Sequence, residues 1–331
     1  MALLLTRQDV ERVLTMKEAI AAVEQGLVQL AHGRAIMPQR TAIRMSELHG
    51  LHLGMPAYIA GAGGDDPGVL ALKVVTVYPD NPARFSLPTT CGTILLNDPR
   101  TGRLTAIIDA GFLTAMRTGA ASGVATKYLA REEASSVGVF GAGAQARTQL
   151  AAVCEVRPVK RAVVSDPHAP TRERFVREMS AALGVTIRGT EEAGDCLACD
   201  IVALATSSTT PVFAGADLRP GTHINAIGAH APAHRELDAE AIRRSSVIAD
   251  YKPACLAEAG DLILAMEEGA ITADHVRASI GEIASGSRPG RTSAEEITLF
   301  KSVGLAVEDV ATAGRVFALA KSAGIGREIE T

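Results

Sequence analysis

The chain has 331 residues, of which 47% are hydrophobic and only 3% aromatic, and its formal net charge is −4 at pH 7. This length suits two domains, and the mild negative charge without a long single-sign run argues against a nucleic-acid partner. No segment approaches the roughly 18 consecutive apolar residues of a membrane-spanning helix, and the N-terminus lacks a signal-peptide cleavage pattern. Five scattered cysteines predict a reducing compartment, hence a cytoplasmic location. Cys196-x-x-Cys199 has no second pair, so ordinary buried or half-buried thiols and no metal site are predicted.

The first predicted element is a helix in the segment TMKEAIAAVEQGLVQLAHG. Thr15 and Glu18 form a capping-box pattern at its start, and Gly33 supplies a stop. The pattern from Arg40 to Ile108 then changes to strands: RTAIRMS, LHLGMPAYI, VLALKVVTVYP, TTCGTILLND and RLTAIIDA. Consecutive strands without intervening helices predict a mostly antiparallel or mixed sheet.

A second region follows the segment FLTAMRTGAASGVATKYLAR, which is predicted to be a helix. Within it, Arg117 is predicted to open a helix rich in small residues. The short apolar runs SSVGVF, RAVVSD, DIVALAT, THINAIG and SSVIAD alternate here with helical stretches. This alternation predicts a parallel sheet with crossover helices. The end of the chain, ITLFKSVGLAVEDVATAGRVFALAKSAG, is predicted to be helical, with last turns that fold back on the first domain.

The segment SSVGVFGAGAQART contains Gly141-x-Gly143-x-x-Ala146 directly after a predicted strand and at the opening of a predicted helix. Asp166 follows the next strand, about 20 residues beyond Ala146, the spacing at which an acid meets the ribose of a dinucleotide. Gly141 permits a tight turn, Gly143 permits close approach of a pyrophosphate, and N–H groups at the helix start complement phosphates. The predicted fold class is therefore α/β, a Rossmann-type doubly wound parallel sheet plus a second α+β domain.

Asp166 also bears on the choice of cofactor. A carboxylate beside the ribose would repel a 2′-phosphate, which favours NAD. His168 and Arg172 lie close enough in sequence to leave NADP possible.

Three cations occupy apolar settings in this chain. Lys73 shares a strand face with Ala71 and Val75, Arg44 interrupts a strand, and Arg117 lies among small residues. Desolvating an ammonium is costly unless an anion meets it. The three cations are therefore candidates for binding one carboxylate, for which arginine supplies a bidentate fork. The alternative for each is solvent exposure or pairing with a structural acid.

The chain resembles the ornithine cyclodeaminase/mu-crystallin family over nearly its full length. The segments that carry the resemblance are LHLGMPAYI, LKVVTVYPDN, GTILLNDPRTGRLTAIIDAGFLTAMRTGAAS, VGVFGAGAQA, ATSSTTPVF, HINAIGAHAPAHRELD and LFKSVGLAVEDVATA. LTAMRTGAAS and GAGAQA, in that order and at that distance, are specific to it.

The resemblance implies a homodimer with a substrate-binding and dimerisation domain, residues 1–120 with 309–331, beside a Rossmann dinucleotide-binding domain, residues 121–308. The substrate would be a small amino or imino acid, with Lys73 near the reacting carbon–nitrogen bond. The predicted substrate-binding residues are Arg44, Met55, Lys73 and Arg117, and the predicted catalytic residues are Lys73, Arg117 and His230. The predicted cofactor-binding residues are Thr114, Gly141, Ala142, Gly143, Ala144, Gln145, Asp166, Ala205, Thr206, Ser207, Ser302 and Gly304.

The stretch IGAHAPAHREL departs from the family members that act as cyclodeaminases, which look like Gly-x-Asp-x-Pro-Gly-Lys-x-Glu-Leu here. Alignment on Gly228, Pro232 and Glu236 puts His230 where their aspartate handles the amine of the substrate side chain. An imidazole cannot hold an ammonium as a carboxylate does, yet it titrates near neutrality and can move a proton. The alternative role for His230 is a pocket wall, and His234 is expected to be structural or at the pocket rim.

The leading hypothesis is an NAD(P)-dependent oxidoreductase that interconverts a small α-imino acid and its amino acid. Pyrroline-2-carboxylate, or the imine of a keto acid such as pyruvate, would be the substrate. A cyclodeaminase-type ammonia lyase that recycles NAD in each turnover is the second hypothesis, and the residue at position 230 argues against it. A non-catalytic carrier or a synthase is the third, and a lysine beside the nicotinamide argues against a pure carrier.

Overall fold

The computed structural model describes residues 1–330, which contain sixteen strands and twelve α-helices. The strands are β1 (Ala2–Leu5), β2 (Ala35–Ile36), β3 (Thr41–Met45), β4 (Gly50–Ile59), β5 (Val69–Val77), β6 (Thr90–Asn97), β7 (Leu104–Asp109), β8 (Ser136–Phe140), β9 (Arg161–Ser165), β10 (Thr186–Thr190), β11 (Ile201–Leu204), β12 (His223–Ala226), β13 (Ser246–Ala249), β14 (Val276–Ser279), β15 (Thr298–Lys301) and β16 (Arg327–Ile329). The helices are α1 (Arg7–Val13), α2 (Met16–Ala31), α3 (Asn81–Phe85), α4 (Ala110–Leu129), α5 (Ala144–Val156), α6 (Ala169–Leu183), α7 (Ala193–Leu197), α8 (Ala239–Arg244), α9 (Lys252–Glu258), α10 (Gly260–Glu267), α11 (Ile280–Ala284) and α12 (Ala306–Ala323).

The chain divides into two compact units. Unit 1 comprises Met1–Arg117 with Leu305–Thr331, and unit 2 comprises Thr118–Gly304. The predicted boundaries lie after residues 120 and 308, which puts Glu308 in the predicted dinucleotide-binding domain, whereas the structure puts it in unit 1. The functions of the two domains remain predictions.

Unit 1 is built on an eight-stranded mixed sheet, as the run of predicted strands indicates. The order is β16-β1-β7-β6-β5-β4-β2, with β3 also paired to β4. Strands β1 and β7 run parallel, and the other pairs are antiparallel. Helix α12 packs on α2, β4 and β5. Thr15 caps α2 by accepting a hydrogen bond from the Glu18 N–H at 3.2 Å, and Val23 and Leu27 bury the apolar face of that helix.

Strand β5 alternates buried and half-buried residues along its length, as expected for a strand with one fully covered face. Ala71, Lys73 and Val75 lie on the buried face. Lys73 is directly opposite Met55 of β4 and Ile94 of β6, both of which are buried. Directly opposed residues share a face of the sheet, so the lysine lies between two apolar side chains.

Unit 2 contains an eight-stranded sheet in the order β10-β9-β8-β11-β12-β15-β13-β14, and all its pairs are parallel. The chain moves outward from β8 through β9 to β10, then returns to place β11 on the other side of β8. The strand order therefore reverses between β8 and β11. Ligands of such sheets bind beyond the carboxyl ends of the strands at this point.

Helices cover both faces of the unit 2 sheet, which confirms the predicted doubly wound α/β class. Val163 of β9 packs in one hydrophobic cluster with Leu262, while its neighbours Ala162 and Val164 pack in another with Phe175. Because side chains alternate along a strand, these clusters lie on opposite faces. Double burial explains why the strands of this unit read as short, continuous apolar runs.

Two elements differ from the prediction. Thr298–Lys301, expected to be helical, forms strand β15 between β12 and β13, and α12 starts only at Ala306. All four residues of β15 are buried, which fits a strand covered on both faces better than a surface helix. Helix α4 begins at Ala110, so Arg117 lies in its third turn and does not open it. No helix-breaking proline separates Ala110 from Arg117, so the helix continues through both.

Within residues 1–330, no helix is long and apolar enough to cross a membrane. The same residues contain no group of three or more His, Cys, Asp or Glu side chains that could hold a metal ion. Cys196 and Cys199 are buried free thiols, and burial raises the pKa of Cys196 to about 12.

Candidate functional site

The loop between β8 and α5 contains the two glycines of the predicted dinucleotide motif. Gly141 has φ +92°, and its N–H donates to the Ser165 carbonyl at 2.8 Å. A Cβ at position 141 would lie 2.5 Å from the Ala205 carbonyl oxygen, closer than any side chain tolerates. Position 141 therefore requires glycine both for its backbone conformation and for space.

Gly143 differs from Gly141 because the space beside it is open. A Cβ at Gly143 meets no atom within 4 Å, and its φ of −81° suits any residue. Gly143 is the N-cap residue of the 13-residue helix α5, and no side chain caps that end. In the following turn, Gln145 keeps a buried Oε1 that accepts no hydrogen bond within the described chain. Open space and an uncapped helix start fit a dinucleotide phosphate, which helix N-termini attract through N–H groups and dipole.

Asp166, at the end of β9, is tied to the glycine loop. Its Oδ2 accepts from the Ala142 N–H and its Oδ1 from the His168 N–H, each at 2.9 Å. Arg172 donates to the Asp166 carbonyl oxygen at 2.7 Å and pairs with Glu191 at 2.9 Å. The carboxylate thus lies beside the glycine loop, where the spacing predicts a ribose contact, and the Arg172 guanidinium has partners within unit 2.

Glu236 connects the loops that follow β11 and β12. Its Oε1 accepts from the Thr206 N–H at 2.7 Å and from the Thr206 hydroxyl at 2.8 Å, and its Oε2 accepts from the Gly228 N–H at 2.7 Å. Burial raises the pKa of Glu236, and Lys301 opposes that rise. One buried carboxylate therefore holds the first of these loops, which contains the predicted cofactor-binding residues Ala205, Thr206 and Ser207.

A buried ion pair anchors Glu236 in turn. Lys301 Nζ lies 2.6 Å from Asp261 Oδ2, and both residues are almost completely buried. Asp261 Oδ1 accepts from the N–H groups of Glu236 at 2.8 Å and Leu237 at 3.0 Å. Burial opposes the charge of Lys301, but the carboxylates of Asp261 and Glu236 outweigh it and raise the pKa of Lys301. Lys301 therefore stays charged and supports both acids.

Asp250 holds the segment that contains Ser302 and Gly304. Its Oδ2 accepts from the Ser302 hydroxyl at 2.8 Å, from the Val303 N–H at 2.8 Å and from the Gly304 N–H at 2.9 Å. Gly304 has φ +78°, a conformation that favours glycine. The carboxylate thus fixes the conformation of both predicted cofactor-binding residues.

His230 is exposed in the loop after β12. Its Nδ1 lies 2.9 Å from the Gly228 carbonyl oxygen. Since a carbonyl only accepts, Nδ1 carries the proton, and Nε2 is the unprotonated nitrogen of the neutral ring. The Gly228 N–H is held by Glu236, so the orientation of His230 depends on that buried acid. His234 is also exposed, and its N–H donates to the Ala231 carbonyl at 3.0 Å.

Glu236→Gln is expected to lower the free energy of unfolding by about 1–3 kcal/mol. An amide has one acceptor oxygen, so the N–H of Thr206 or of Gly228 loses its buried partner. Urea unfolding of unit 2 would measure the loss, with Glu267→Gln on the exposed side of α10 as the matched control. A loss no larger than that of the control would contradict the anchoring role of Glu236.

Unit 1 contains a second candidate site, centred on Lys73 of β5. Its Nζ lies 2.5 Å from Asp309 Oδ2, and the lysine is only 1% exposed. Asp309 belongs to α12 and is fully buried. The anion that meets the buried ammonium of Lys73 is therefore a carboxylate of the protein. This is the second alternative stated for the three cations, pairing with a structural acid.

Arg117 of α4 joins the same cluster. Its Nε donates to Asp309 Oδ1 at 2.9 Å, and its Nη1 donates to Glu308 Oε2 at 2.7 Å. Burial opposes the charge of Arg117, but Asp309 and Glu308 outweigh it and raise the pKa of the guanidinium. Lys73, Arg117, Glu308 and Asp309 form a cluster of two cations and two anions, called here the buried quartet.

Lys73 loses its proton more readily than Arg117, because their pKa values are shifted in opposite directions. Burial lowers the pKa of Lys73 from 10.5 to about 8; Arg117 acts in the same direction, and Asp309 opposes it. A group that titrates this close to neutrality can give up a proton and regain it at physiological pH. Lys73 is therefore suited to acid–base chemistry, whereas Arg117 supplies a permanent charge.

The structure does not bring Arg44 into the quartet. Arg44 is exposed on β3, opposite Leu51 of β4, which is opposite Val77 of β5. This register puts Arg44 on the sheet face that carries Lys73, about 13 Å along the strands and about 10 Å across them. Thr114 is half-buried on α4, one turn before Arg117 and on the same helix face.

Glu308 and Asp309 are not among the residues predicted from the sequence to form the site. Both lie in the first turn of α12, where acids are common because they stabilise the helix N-terminus. The signal that was available is the charge of Lys73 and Arg117, since buried cations require buried anions. Glu236, Asp250 and Asp261 are likewise absent from the predicted site residues, although each anchors a loop that contains some of them.

Unit 2 has the architecture typical of dinucleotide-binding α/β domains. It combines a doubly wound parallel sheet, a glycine loop at the reversal of strand order and an acid at the end of the next strand. The model of the ornithine cyclodeaminase/mu-crystallin family matches residues 1–324. The chain therefore belongs to the ornithine cyclodeaminase/mu-crystallin family.

Known members of the family resemble the chain over its whole length. The structure of Thermococcus litoralis Δ1-pyrroline-2-carboxylate reductase in complex with NADH and L-proline has 45% sequence identity and a TM-score of 0.94, covering 99% of this chain and 100% of that one. An archaeal alanine dehydrogenase, solved as a dimer with bound NAD, has 36% identity and a TM-score of 0.92 over 99% of each chain. A Δ1-pyrroline-2-carboxylate reductase of Bacillus cereus is 35% identical over 99% of each.

Proposed function

We propose that the protein is an NAD-dependent reductase that interconverts a small α-imino acid and the corresponding amino acid. The observation that carries the proposal is Lys73, a buried ammonium with a pKa of about 8 that Asp309 holds in place. Relatives at 35% identity or more include pyrroline-2-carboxylate reductases and an alanine dehydrogenase. Candidate substrates are pyrroline-2-carboxylate and the imine of pyruvate.

NAD fits the residues of unit 2. The open space at Gly143 and the start of α5 would take the pyrophosphate, with Gly141 to Gln145 around it, and the Asp166 carboxylate would bind the ribose. Thr114, Ala205, Thr206, Ser207, Ser302 and Gly304 are the further proposed contacts. The partners of Arg172 within unit 2 favour NAD over NADP, because that guanidinium is committed to Asp166 and Glu191. When bound, the reduced cofactor supplies the hydride for the substrate α-carbon.

Different residues of unit 1 would bind the substrate carboxylate and protonate the substrate nitrogen. The two cations and two anions of the buried quartet cancel, so the quartet alone offers no net charge to a substrate carboxylate. Arg44 would add the missing positive charge, with Arg117 as the second contact and Met55 as an apolar wall. Lys73 would protonate the substrate nitrogen as the carbon–nitrogen double bond is reduced, and would regain its proton from solvent.

Two other activities fit less well. A cyclodeaminase needs a carboxylate for the distal amine of ornithine, and His230 occupies that position with Nδ1 committed to the Gly228 carbonyl. Nε2 of His230 can still accept a proton, and donate it again once the ring is protonated. A carrier would not require a buried lysine with a lowered pKa.

The cytoplasmic location expected from the sequence stays a prediction.

A homodimer formed through unit 1 is part of the proposal. Large apolar side chains of unit 1 are more than half exposed: Ile36, Ile43, Leu48, Phe85 and Leu87. Several large apolar side chains left exposed in one unit favour an interaction surface there. The archaeal alanine dehydrogenase was solved as a dimer, which supports a second copy of the chain as the partner. Light scattering of the purified protein tests the dimer.

The function is tested by following NADH absorbance with pyrroline-2-carboxylate, piperideine-2-carboxylate, or pyruvate plus ammonia in separate reactions. Stoichiometric oxidation of NADH by an imino acid is expected, with the amino acid as product. Ornithine with catalytic NAD would run in parallel and be assayed for proline and ammonia. Proline formed from ornithine without net change in NADH would overturn the proposal in favour of the lyase.

A further inference from the structure

Asp309 is the central member of the buried quartet. Its Oδ2 lies 2.5 Å from Lys73 Nζ, and its Oδ1 accepts from Arg117 Nε at 2.9 Å. Glu308, its neighbour in the chain, pairs with the Nη1 of Arg117 at 2.7 Å. Asp309 is thus the carboxylate that bridges both cations, and each of its oxygens has its own cation.

The protonated form of Lys73 depends on its contact with Asp309, because few other groups around it favour a positive charge. The charged groups that face it are Asp309 and Glu308 from α12 and Arg117 from α4. Its neighbours on β4 and β6 are Met55 and Ile94, which carry no charge. Burial and Arg117 both oppose the ammonium form, so the acids of α12 are what stabilise it.

We propose that Asp309 is a positioning residue for proton transfer: it keeps Lys73 protonated near neutral pH and aligns it with Arg117. The inference rests on the proposed function, in which Lys73 is the proton donor. Without the carboxylate, Lys73 would lose its proton at a lower pH, and a smaller fraction of it could donate a proton at neutral pH. Glu308 then has the separate task of fixing the far side of the Arg117 guanidinium.

The test is the pH dependence of kcat/KM for reduction of the imino acid, between about pH 6 and pH 10. The alkaline limb of wild type is expected near pH 8, where Lys73 loses its proton. In Asp309→Asn this limb should move toward acid by about one pH unit or more, the usual effect of one adjacent charge. Activity of the variant at neutral pH should therefore fall by about half or more and recover at lower pH.

Two further variants distinguish the charge of Asp309 from that of its neighbour and from a general loss of structure. Glu308→Gln should move the limb less than Asp309→Asn, because Glu308 contacts Arg117 and acts on Lys73 only from a distance. Asp309→Glu retains the charge and should return the limb toward the wild-type position. A uniform loss of activity at all pH values in Asp309→Asn, with the alkaline limb unmoved, would overturn the proposal.

A second measurement separates this inference from the proposed function. The folded-state pKa of Lys73 is lowered, so its contribution to stability is complete above the unfolded value of 10.5 and is lost as pH falls through about 8. In Asp309→Asn the loss should be displaced to lower pH, which urea unfolding at a series of pH values would detect. If wild type reduces no imino acid but this displacement occurs, the proposed function fails, and what stands is that Asp309 keeps Lys73 protonated. An undisplaced profile rejects the assignment whatever the activity.

Discussion

Lys73→Met is expected to lower kcat for imino acid reduction by about 10²- to 10⁴-fold, the usual contribution of a general acid. Methionine fills the space between Met55 and Ile94 but has no proton to donate. NADH affinity should be retained, because the residues proposed to bind the dinucleotide phosphates lie in unit 2. Stopped-flow reduction and isothermal titration calorimetry would measure the two quantities separately.

The Lys73 substitution also removes a cation from the buried quartet. Asp309 keeps Arg117 as a partner, yet breaking one buried ion pair costs about 3–5 kcal/mol. Lys73→Arg is therefore the matched variant, because arginine keeps the charge toward Asp309 and cannot release a proton near neutral pH. Lys17→Met, on the exposed side of α2, is the control for a lost surface charge. Near-wild-type kcat in Lys73→Arg would show that only the charge matters and would reject proton donation by Lys73.

Gly143→Ala is expected to weaken NADH binding by about 1–3 kcal/mol, the cost of one extra group in a filled space. This is about 5- to 150-fold in Kd. In the free protein a Cβ at Gly143 meets no atom within 4 Å, so the melting temperature should not change. A loss of affinity without a loss of stability would identify position 143 as the place where the pyrophosphate approaches the backbone.

Gly141→Ala should behave in the opposite way. Its φ of +92° and the contact of a Cβ with the Ala205 carbonyl strain the folded chain itself. The strained backbone alone costs about 1–3 kcal/mol, so the melting temperature should fall. Gly194→Ala on α7 is the control, since a Cβ there also meets no atom.

For Gly143→Ala, an unchanged NADH affinity would contradict the proposed phosphate site.

The larger correction to the predicted fold is strand β15, which the residue pattern does not reveal. Thr298–Lys301 forms β15 because neighbouring strands β12 and β13 bury it on both sides, a property of the assembled sheet. Neither partner strand is adjacent to it in the chain. Apolar residues next to a helical segment do not reveal such pairing, so the segment was predicted to continue as helix.

Features contained in one continuous stretch could be determined from the sequence by itself. The glycine loop, Asp166 after the next strand, the helix cap at Thr15 and the change from successive strands to alternating strands and helices all depend on near neighbours in the chain. Backbone conformation, side-chain alternation and helix capping are local, so their residue patterns predict them directly. These patterns also sufficed for the family, because its motifs are continuous segments.

The partners of the charged residues were decided only by the tertiary structure. The sequence predicts that a buried Lys73 requires an anion, but Asp309 reaches Arg117 across 192 residues and joins both cations only after α12 packs on the sheet. Glu236, Asp261 and Lys301 similarly meet from three separate segments. Charge interactions depend on distance in space and on the removal of water, and residue order records neither. The sequence therefore predicts that the buried cations require acids, while the tertiary structure determines which acids lie beside them.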